Sequence, residues 1–213
     1  MRGPSSIIEV FADIWCPFTH VGLRAVHAQR GRAGRTDVAL VVRAWPLEWV
    51  NGHPMDAAGA RQHADELRDQ VAPAMFAGLD PEHFPTSTVE ALALVARAYR
   101  TDVHLGEKMS FELRDALFER GENISDPAVL ARCAATLGVS PAGSVDRAAV
   151  QIDWDEGRAR GVLGSPHFFC GSRDMFCPSL RITSDAGDGL SIGRDTERLA
   201  EFVARCLAPA PPA

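Results

Sequence analysis

The stretch ADIWCPFTHVGL, Ala12 to Leu23, sets a single cysteine, Cys16, between an apolar run and a proline. Upstream, IIEVFADI over 7–14 is apolar and rich in β-branched residues, which predicts a buried strand. Pro17 suits the first position of a helix, where its missing N–H would have no intrahelical partner, and a helix is expected through about Arg30. The unit is strand, turn, helix, with Cys16 on the turn. A thiol at a helix start faces unpaired backbone N–H groups and the positive end of the helix dipole, and both favour the thiolate. The Cys16 pKa is therefore expected to drop from about 8.5 into a range of roughly 3.5 to 7.5. Thr19, three residues on, is placed to aim its hydroxyl at the sulfur.

Working outward, DVALVVRAWPLEWV over 37–50 gives a second strand that Pro46 should end. From 52 to 139 the apolar spacing turns helical. Helices are expected over 56–79, over 87–103 behind the capping box Ser87-x-x-Glu90, over about 106–120, and over 127–137. The last has Asp126 as N-cap, Pro127 in its first turn and Gly138 as its stop. A helix over 145–160 should end at Gly161, and PHFF and MFCPSLRI follow as two short strands around a turn. An amphipathic helix over 195–207 closes the chain, and no internal repeat is visible. This order is a βαβ half and a ββα half interrupted by helices, an α/β chain with a thioredoxin-like fold and an inserted α-helical domain. The boundaries read as 1–50 plus 140–213 for the sheet domain and 51–139 for the insertion. Open α/β sheets bind ligands beyond the C-terminal ends of their strands, where the Cys16 turn falls.

Composition narrows the function. A net charge of −6 with 22 basic residues argues against nucleic acid, which calls for clustered cations. Lys108 is the only lysine, and the abundance of Ala, Arg, Gly and Pro suggests a GC-rich bacterial genome. The opening MRGPSSIIEVFADIW has an apolar run too short, and too interrupted by Glu9 and Asp13, for a signal peptide or a membrane span, so a cytoplasmic location with no membrane partner is expected. The closing LAPAPPA has no periodicity and should fray. Five cysteines, an odd number without metal-type pairs, argue against a disulfide scaffold. Cys133 and Cys206 sit at helical spacing among apolar residues and read as inert core; Cys170 and Cys177 flank GSRD and read as strand residues.

DIWCPFTHVGLRA together with GVLGSPHFF resembles the DsbA-like thioredoxin family. More narrowly, it is similar to the branch of FrnE-type oxidoreductases, 2-hydroxychromene-2-carboxylate isomerases and kappa-class glutathione transferases, which ALFERGENISDPAVLARCAATLGV also fits. The resemblance implies that Cys16 is the attacking thiol and that Ser165-Pro166 is the cis-proline loop beside it. It also exposes a departure: where dithiol members carry a second cysteine, this chain has Thr19. A mixed disulfide on Cys16 would then need an outside thiol to resolve it. Cys170 lies four residues past Pro166, about 13 Å along an extended segment, too far to substitute.

The expected site thus comprises Cys16 and Thr19 as catalytic residues, with Pro17, Phe18, His20, Ser165, Pro166 and His167 around a small thiol. His20 and His167 could raise the thiolate fraction or act as an acid, or else be polar rim residues; Trp15 and Phe18 could form an apolar collar. No metal site is expected, since a Cys16, His20 and His167 set has no fourth ligand. No tightly bound cofactor is expected; the carrier would be a low-molecular-weight thiol such as glutathione, mycothiol or bacillithiol, with composition leaning to mycothiol. The reading is a monothiol oxidoreductase acting on a small thiol or disulfide, as a monomer or homodimer. Its rivals are a kappa-like thiol transferase or chromene-carboxylate isomerase, and a non-catalytic thioredoxin-like module binding a peptide strand beside Pro166.

Overall fold

The computed structural model describes residues 6–184 and 189–208, so the closing segment 209–213 lies outside the described residues. β1 (Ser6–Ala12) sits in the middle of a four-stranded sheet of order β2-β1-β3-β4, completed by β2 (Val38–Ala44), β3 (His167–Cys170) and β4 (Arg173–Phe176). β1 and β2 run parallel; β1 and β3, and β3 and β4, run antiparallel. β1 is apolar at nearly every position because both of its faces are covered. Ile8, Val10 and Ala12 pack with Leu23 and Val26 of α1 (Pro17–Arg32) and with Leu199, Phe202 and Val203 of α8 (Thr196–Leu207). On the other face Phe11 packs with Phe169, Trp45 and Trp154, the last from α7 (Ser144–Ala159). Gly157 of α7 lets Trp45 lie this close: a Cβ there would fall 2.6 Å from the indole ring.

Between the two halves come α2 (Leu47–Asn51), α3 (Ala57–Gln70), α4 (Val89–Thr101), α5 (Val103–Phe118) and α6 (Pro127–Thr136). The largest core cluster joins these helices to Ile14, Trp15 and Val21 from the first strand-turn-helix unit and to Cys177, Leu180 and Ile192 from the second half. β2 is an edge strand, and Tyr99 of α4 covers it. The Tyr99 hydroxyl donates to Leu40 O at 3.0 Å and accepts from Val42 N at 2.9 Å, taking the place of a neighbouring strand.

Several local expectations need correction. The helix expected over 56–79 stops at Gln70, since Pro73 has no N–H to give and disfavours helical geometry at Ala72. The capping box at Ser87 and Glu90 does not form. Glu48 of α2 accepts from the Thr88 amide at 3.0 Å and from the Ser87 hydroxyl at 2.8 Å, while Glu90 pairs with Arg147. α5 begins at Val103 because Asp102 caps it, accepting from His104 N and Leu105 N. MFCPSLRI is two segments rather than one strand: β4 ends at Phe176, Cys177 turns the chain at φ +44°, and β5 (Leu180–Ser184) leaves to pair with β6 (Leu190–Arg194), which the sequence reading missed. α3 guards the outer side of β6, with Gln70 accepting from Ile192 N and Glu66 from Leu190 N. The short α2 after Pro46 was also missed, whereas α6, α7 and α8 stand within a residue or two of expectation.

Tyr99→Phe keeps the ring and removes the hydroxyl bonded to the β2 edge at Leu40 and Val42. It should cost about 1–3 kcal/mol by leaving buried backbone groups unpaired. Urea unfolding should show a lower midpoint with an unchanged slope.

Candidate active site

The turn that links β1 to α1 is buried, so every polar group in it needs a partner from elsewhere. Ala12 O accepts from Trp45 N at 3.2 Å, and Asp13 N donates to the Ser165 hydroxyl at 2.9 Å. Asp13 O and Ile14 O both accept from Nη1 of Arg114, at 2.7 and 3.0 Å. The Asp13 carboxylate accepts from Leu47 N at 2.5 Å, which ties the turn to α2. Cys16 follows as the N-cap of α1, with Pro17 at the first helical position. Its carbonyl accepts the first intrahelical bond, from His20 N at 3.2 Å.

Ser165 and Pro166, some 150 residues away in sequence, close over this turn. The peptide bond between them is cis. The Cys16 thiol donates to Ser165 O at 3.1 Å, and the Thr19 and Ser165 hydroxyls share a hydrogen bond of 2.7 Å. Thr19 therefore braces the proline loop, a partner that sequence did not reveal. Gly22, one turn further along α1, faces the same loop: a Cβ there would lie 3.4 Å from the Pro166 ring. Cys16, Pro17, Thr19, Ser165 and Pro166 are thus brought together as expected, with Phe18 half-buried beside them against His63 of α3 at 5.4 Å.

Other expectations fail. Cys16 is only 3 % exposed. Burial pushes its thiol above the ordinary value rather than below; hydrogen bonds involving Thr19 and Ser165 and the positive charge of Arg114 pull the other way without reversing it. Trp15 is no collar. It is fully buried, stacked on Phe84 with ring centres 5.9 Å apart.

The histidines are not rim residues either. His20 is fully buried between Phe76 and Phe118, and its Nε2 meets Glu119 at 2.7 Å. Burial lowers its pKa, and Glu119 opposes this. His167 is buried on the α7 face, where Nδ1 accepts from Leu163 N and Nε2 meets Asp174 at 3.0 Å; burial lowers its pKa as well. His20 and His167 thus each have fixed partners away from the sulfur. His20, Asp115 and Glu119 bring ligand-type atoms within 4.8 Å of one another. Arg24 stands among them, bonded to Asp115 and 3.5 Å from His20 Nε2, and so supplies the positive charge that the carboxylates need.

Two residues at the site went unread in the sequence. Asp13 is fully buried, and burial lifts its carboxyl from 3.8 to about 6. Arg114 is fully buried too, and burial brings its guanidinium down to about 10, which still leaves it cationic at neutral pH. The signal for Arg114 was its phase. It stands four residues after Ser110 and three before Leu117, both buried, so helical spacing alone puts it on the inward face of α5. Cys177 also lies beside the proline loop: its amide donates to Pro166 O at 3.0 Å. Burial pushes its thiol up to about 12, and the neighbouring Cys16 adds to the shift.

Comparison with known proteins agrees with this geometry. A probable DsbA oxidoreductase from Streptomyces coelicolor superposes with a TM-score of 0.67 at 17% identity, covering 98% of this chain and 92% of that one. The cytosolic disulfide reductase DsbM from Pseudomonas aeruginosa, in its structure with GSH, gives 0.63 at 15% identity over 94% and 98%. A 2-hydroxychromene-2-carboxylate isomerase gives 0.61 at 13% identity over 80% and 88%. These likenesses concern the fold, and no curated protein sequence matches. The model of the DSBA-like thioredoxin domain matches residues 7–184, most of the chain. With the parallel β1–β2 pair, the thiol at the start of α1 and the proline loop above it, that match establishes that this chain belongs to the DSBA-like thioredoxin domain family.

Proposed function

We propose that this protein is a thiol–disulfide oxidoreductase in which Cys16 works as a single thiol with a small-molecule thiol carrier. The observation that carries the reading is the seat of the sulfur: it caps α1 and bonds to Ser165 O at 3.1 Å, while the position three residues on holds Thr19, bonded to Ser165 rather than offering a second thiol. The Cys16 thiolate attacks one sulfur of a carrier disulfide RSSR; a Cys16–S–S–R bond forms and RS⁻ leaves. A second carrier thiolate then attacks the carrier sulfur of the adduct, regenerating RSSR and the Cys16 thiolate. Run on a mixed disulfide R′SSR, the same two steps balance as R′SSR + RSH → R′SH + RSSR: Cys16 takes the carrier sulfur, R′S⁻ leaves, and one free carrier thiol is consumed.

Burial of Cys16 favours a small disulfide over the flat surface of a folded protein. Ser165 and the Pro166 loop offer backbone edge beside the sulfur, suited to the peptide-like part of a carrier. Phe18 supplies an apolar wall, and we assign the segment 51–139 as the insertion that roofs the site. Glutathione, mycothiol and bacillithiol are the candidate carriers, and the DsbM structure with GSH supports this class. All five cysteines are free thiols, which suits a reducing cytoplasm, and no helix among the described residues is long and apolar enough to cross a membrane.

Incubation with glutathione, mycothiol or bacillithiol disulfide should leave one carrier adduct on Cys16. Intact-mass and peptide mapping should show it abolished in Cys16→Ser and retained in Cys170→Ser and Cys177→Ser. No adduct with any carrier, or one formed equally on Cys170 or Cys177, would sink the mechanism. Thr19→Cys should create insulin-reducing activity absent from the native protein, because it adds an internal thiol able to resolve the adduct. Efficient dithiol turnover by the native chain would reveal a resolving thiol elsewhere.

A further inference from the structure

Arg114 is a fully buried cation, and its bonding is incomplete. It reaches from α5 to the underside of the Cys16 turn and is fully enclosed. Both hydrogen bonds it makes, to Asp13 O and Ile14 O, come from Nη1 alone. Nε and Nη2 are buried with no partner. A residue needed only to hold two carbonyls has no use for a further pair of donors and a full positive charge, since enclosing an uncompensated guanidinium is costly. A neutral donor would do the same work at less cost. The surplus calls for an anion nearby.

Two groups at this turn can supply one: the Asp13 carboxylate and the Cys16 thiolate. The first is already engaged by Leu47 N, with its other oxygen unpartnered. The cation is held at the carbonyls of Asp13 and Ile14, the latter two residues before Cys16, and the charges of Cys16, Asp13 and Tyr99 of α4 and, with opposite sign, Arg24 of α1 act on it. The Cys16 thiol in turn donates to Ser165 O, beside the paired Thr19 and Ser165 hydroxyls, and the charge of Arg114 acts on it, as its own acts on Cys177 past the end of β4. His20 of α1 also feels Arg114, but its ring bonds to Glu119.

We propose that Arg114 is the buried counter-charge of Cys16: fixed by two carbonyls of the turn and otherwise unpaired, its guanidinium supports the thiolate and so positions the site for reaction. The cation is shared, because Asp13 draws on it as well, and the thiolate fraction depends on how that single charge divides between two acids. Arg114 acts through Cys16 and is a positioning residue. The assignment rests on the reading of Cys16 as the working thiol, and it explains how a thiol this deeply enclosed still ionises.

The test is the pH dependence of Cys16 alkylation by iodoacetamide, followed by peptide mass spectrometry on the full chain, native and variant. Arg114→Met should raise the midpoint by at least about one pH unit and slow alkylation at pH 7 about tenfold, one unit of pKa being a tenfold change in thiolate at a pH well below it. Arg114→Lys, which keeps a cation, should restore most of that shift. Asp13→Asn, which keeps an oxygen for Leu47 N and removes the rival anion, should lower the midpoint. A purely structural Arg114 would alter the plateau rate at high pH, through exposure, and leave the midpoint in place. An unmoved midpoint in folded Arg114→Met, an equal shift in Arg114→Lys, or a raised midpoint in Asp13→Asn overturns the proposal. If Arg114→Met does not fold, by circular dichroism, the Arg114→Lys and Asp13→Asn arms still decide it: native-like reactivity in the first with a lowered midpoint in the second upholds it, and any other pair of results overturns it. The readout needs no disulfide substrate. A shifted midpoint with no carrier adduct would therefore uphold Arg114 and sink the exchange reading, whereas an adduct with an unmoved midpoint would do the reverse.

Discussion

A strand that ends inside the protein leaves backbone groups that water cannot reach, and this constraint organises the region around Cys16. The chain leaves β1 at Ala12 and enters α1 at Pro17, with 13–16 wholly buried. Apart from the intrahelical bond from His20 N to Cys16 O, the hydrogen bonds that hold that turn come from distant segments: Trp45 and Leu47 after β2, Arg114 from α5, Ser165 before β3. The same bonds that satisfy the turn also dock the helical layer and the proline loop onto the first βα unit. Turn, helical layer and loop are therefore joined by the same bonds, and a change in any partner reaches the turn that carries the sulfur.

That assembly sets the electrostatics of the site. Enclosure disfavours charge on Cys16, raises the Asp13 carboxyl to about 6 and brings Arg114 down to about 10, the three directions that burial alone predicts. Opposing it are a buried cation, two hydroxyls and a helix start, brought to the turn from separate parts of the chain. An open turn would give the helix dipole less competition but no shelter; a closed one trades intrinsic ionisation for a dry pocket in which each remaining charge acts more strongly. The other buried cysteines have no such company. Cys133 is pushed up to about 11 by burial, and Cys206 is shifted the same way.

The sheet, the helices flanking it and the place of Cys16 were legible in the amino-acid order because each rests on a local rule. Apolar runs of strand length, Pro17 and Pro127 in first turns, the Asp126 cap and the glycines at 138 and 161 act within a few residues of themselves. Local rules misled where a distant partner competed. Glu48 displaced the capping box at Ser87, and Pro178 with the left-handed Cys177 split one apparent strand into two that join different sheets. The proline loop was legible only through its likeness to a known family, since nothing near Ser165 in the chain points to a sulfur 149 residues earlier.

By itself, then, the sequence determined the fold, the thiol at the head of α1 and the absence of a second cysteine at position 19. Tertiary structure alone decided how charged and how accessible that thiol is. It turned an expected low-pKa cysteine into an enclosed one, drew His20 and His167 away to Glu119 and Asp174, and brought Asp13 and Arg114 beneath the turn. The physical reason is that strand and helix starts depend on neighbours in the chain, whereas desolvation and charge pairing depend on what packs above and below, and those groups come from α5 and from the loop before β3.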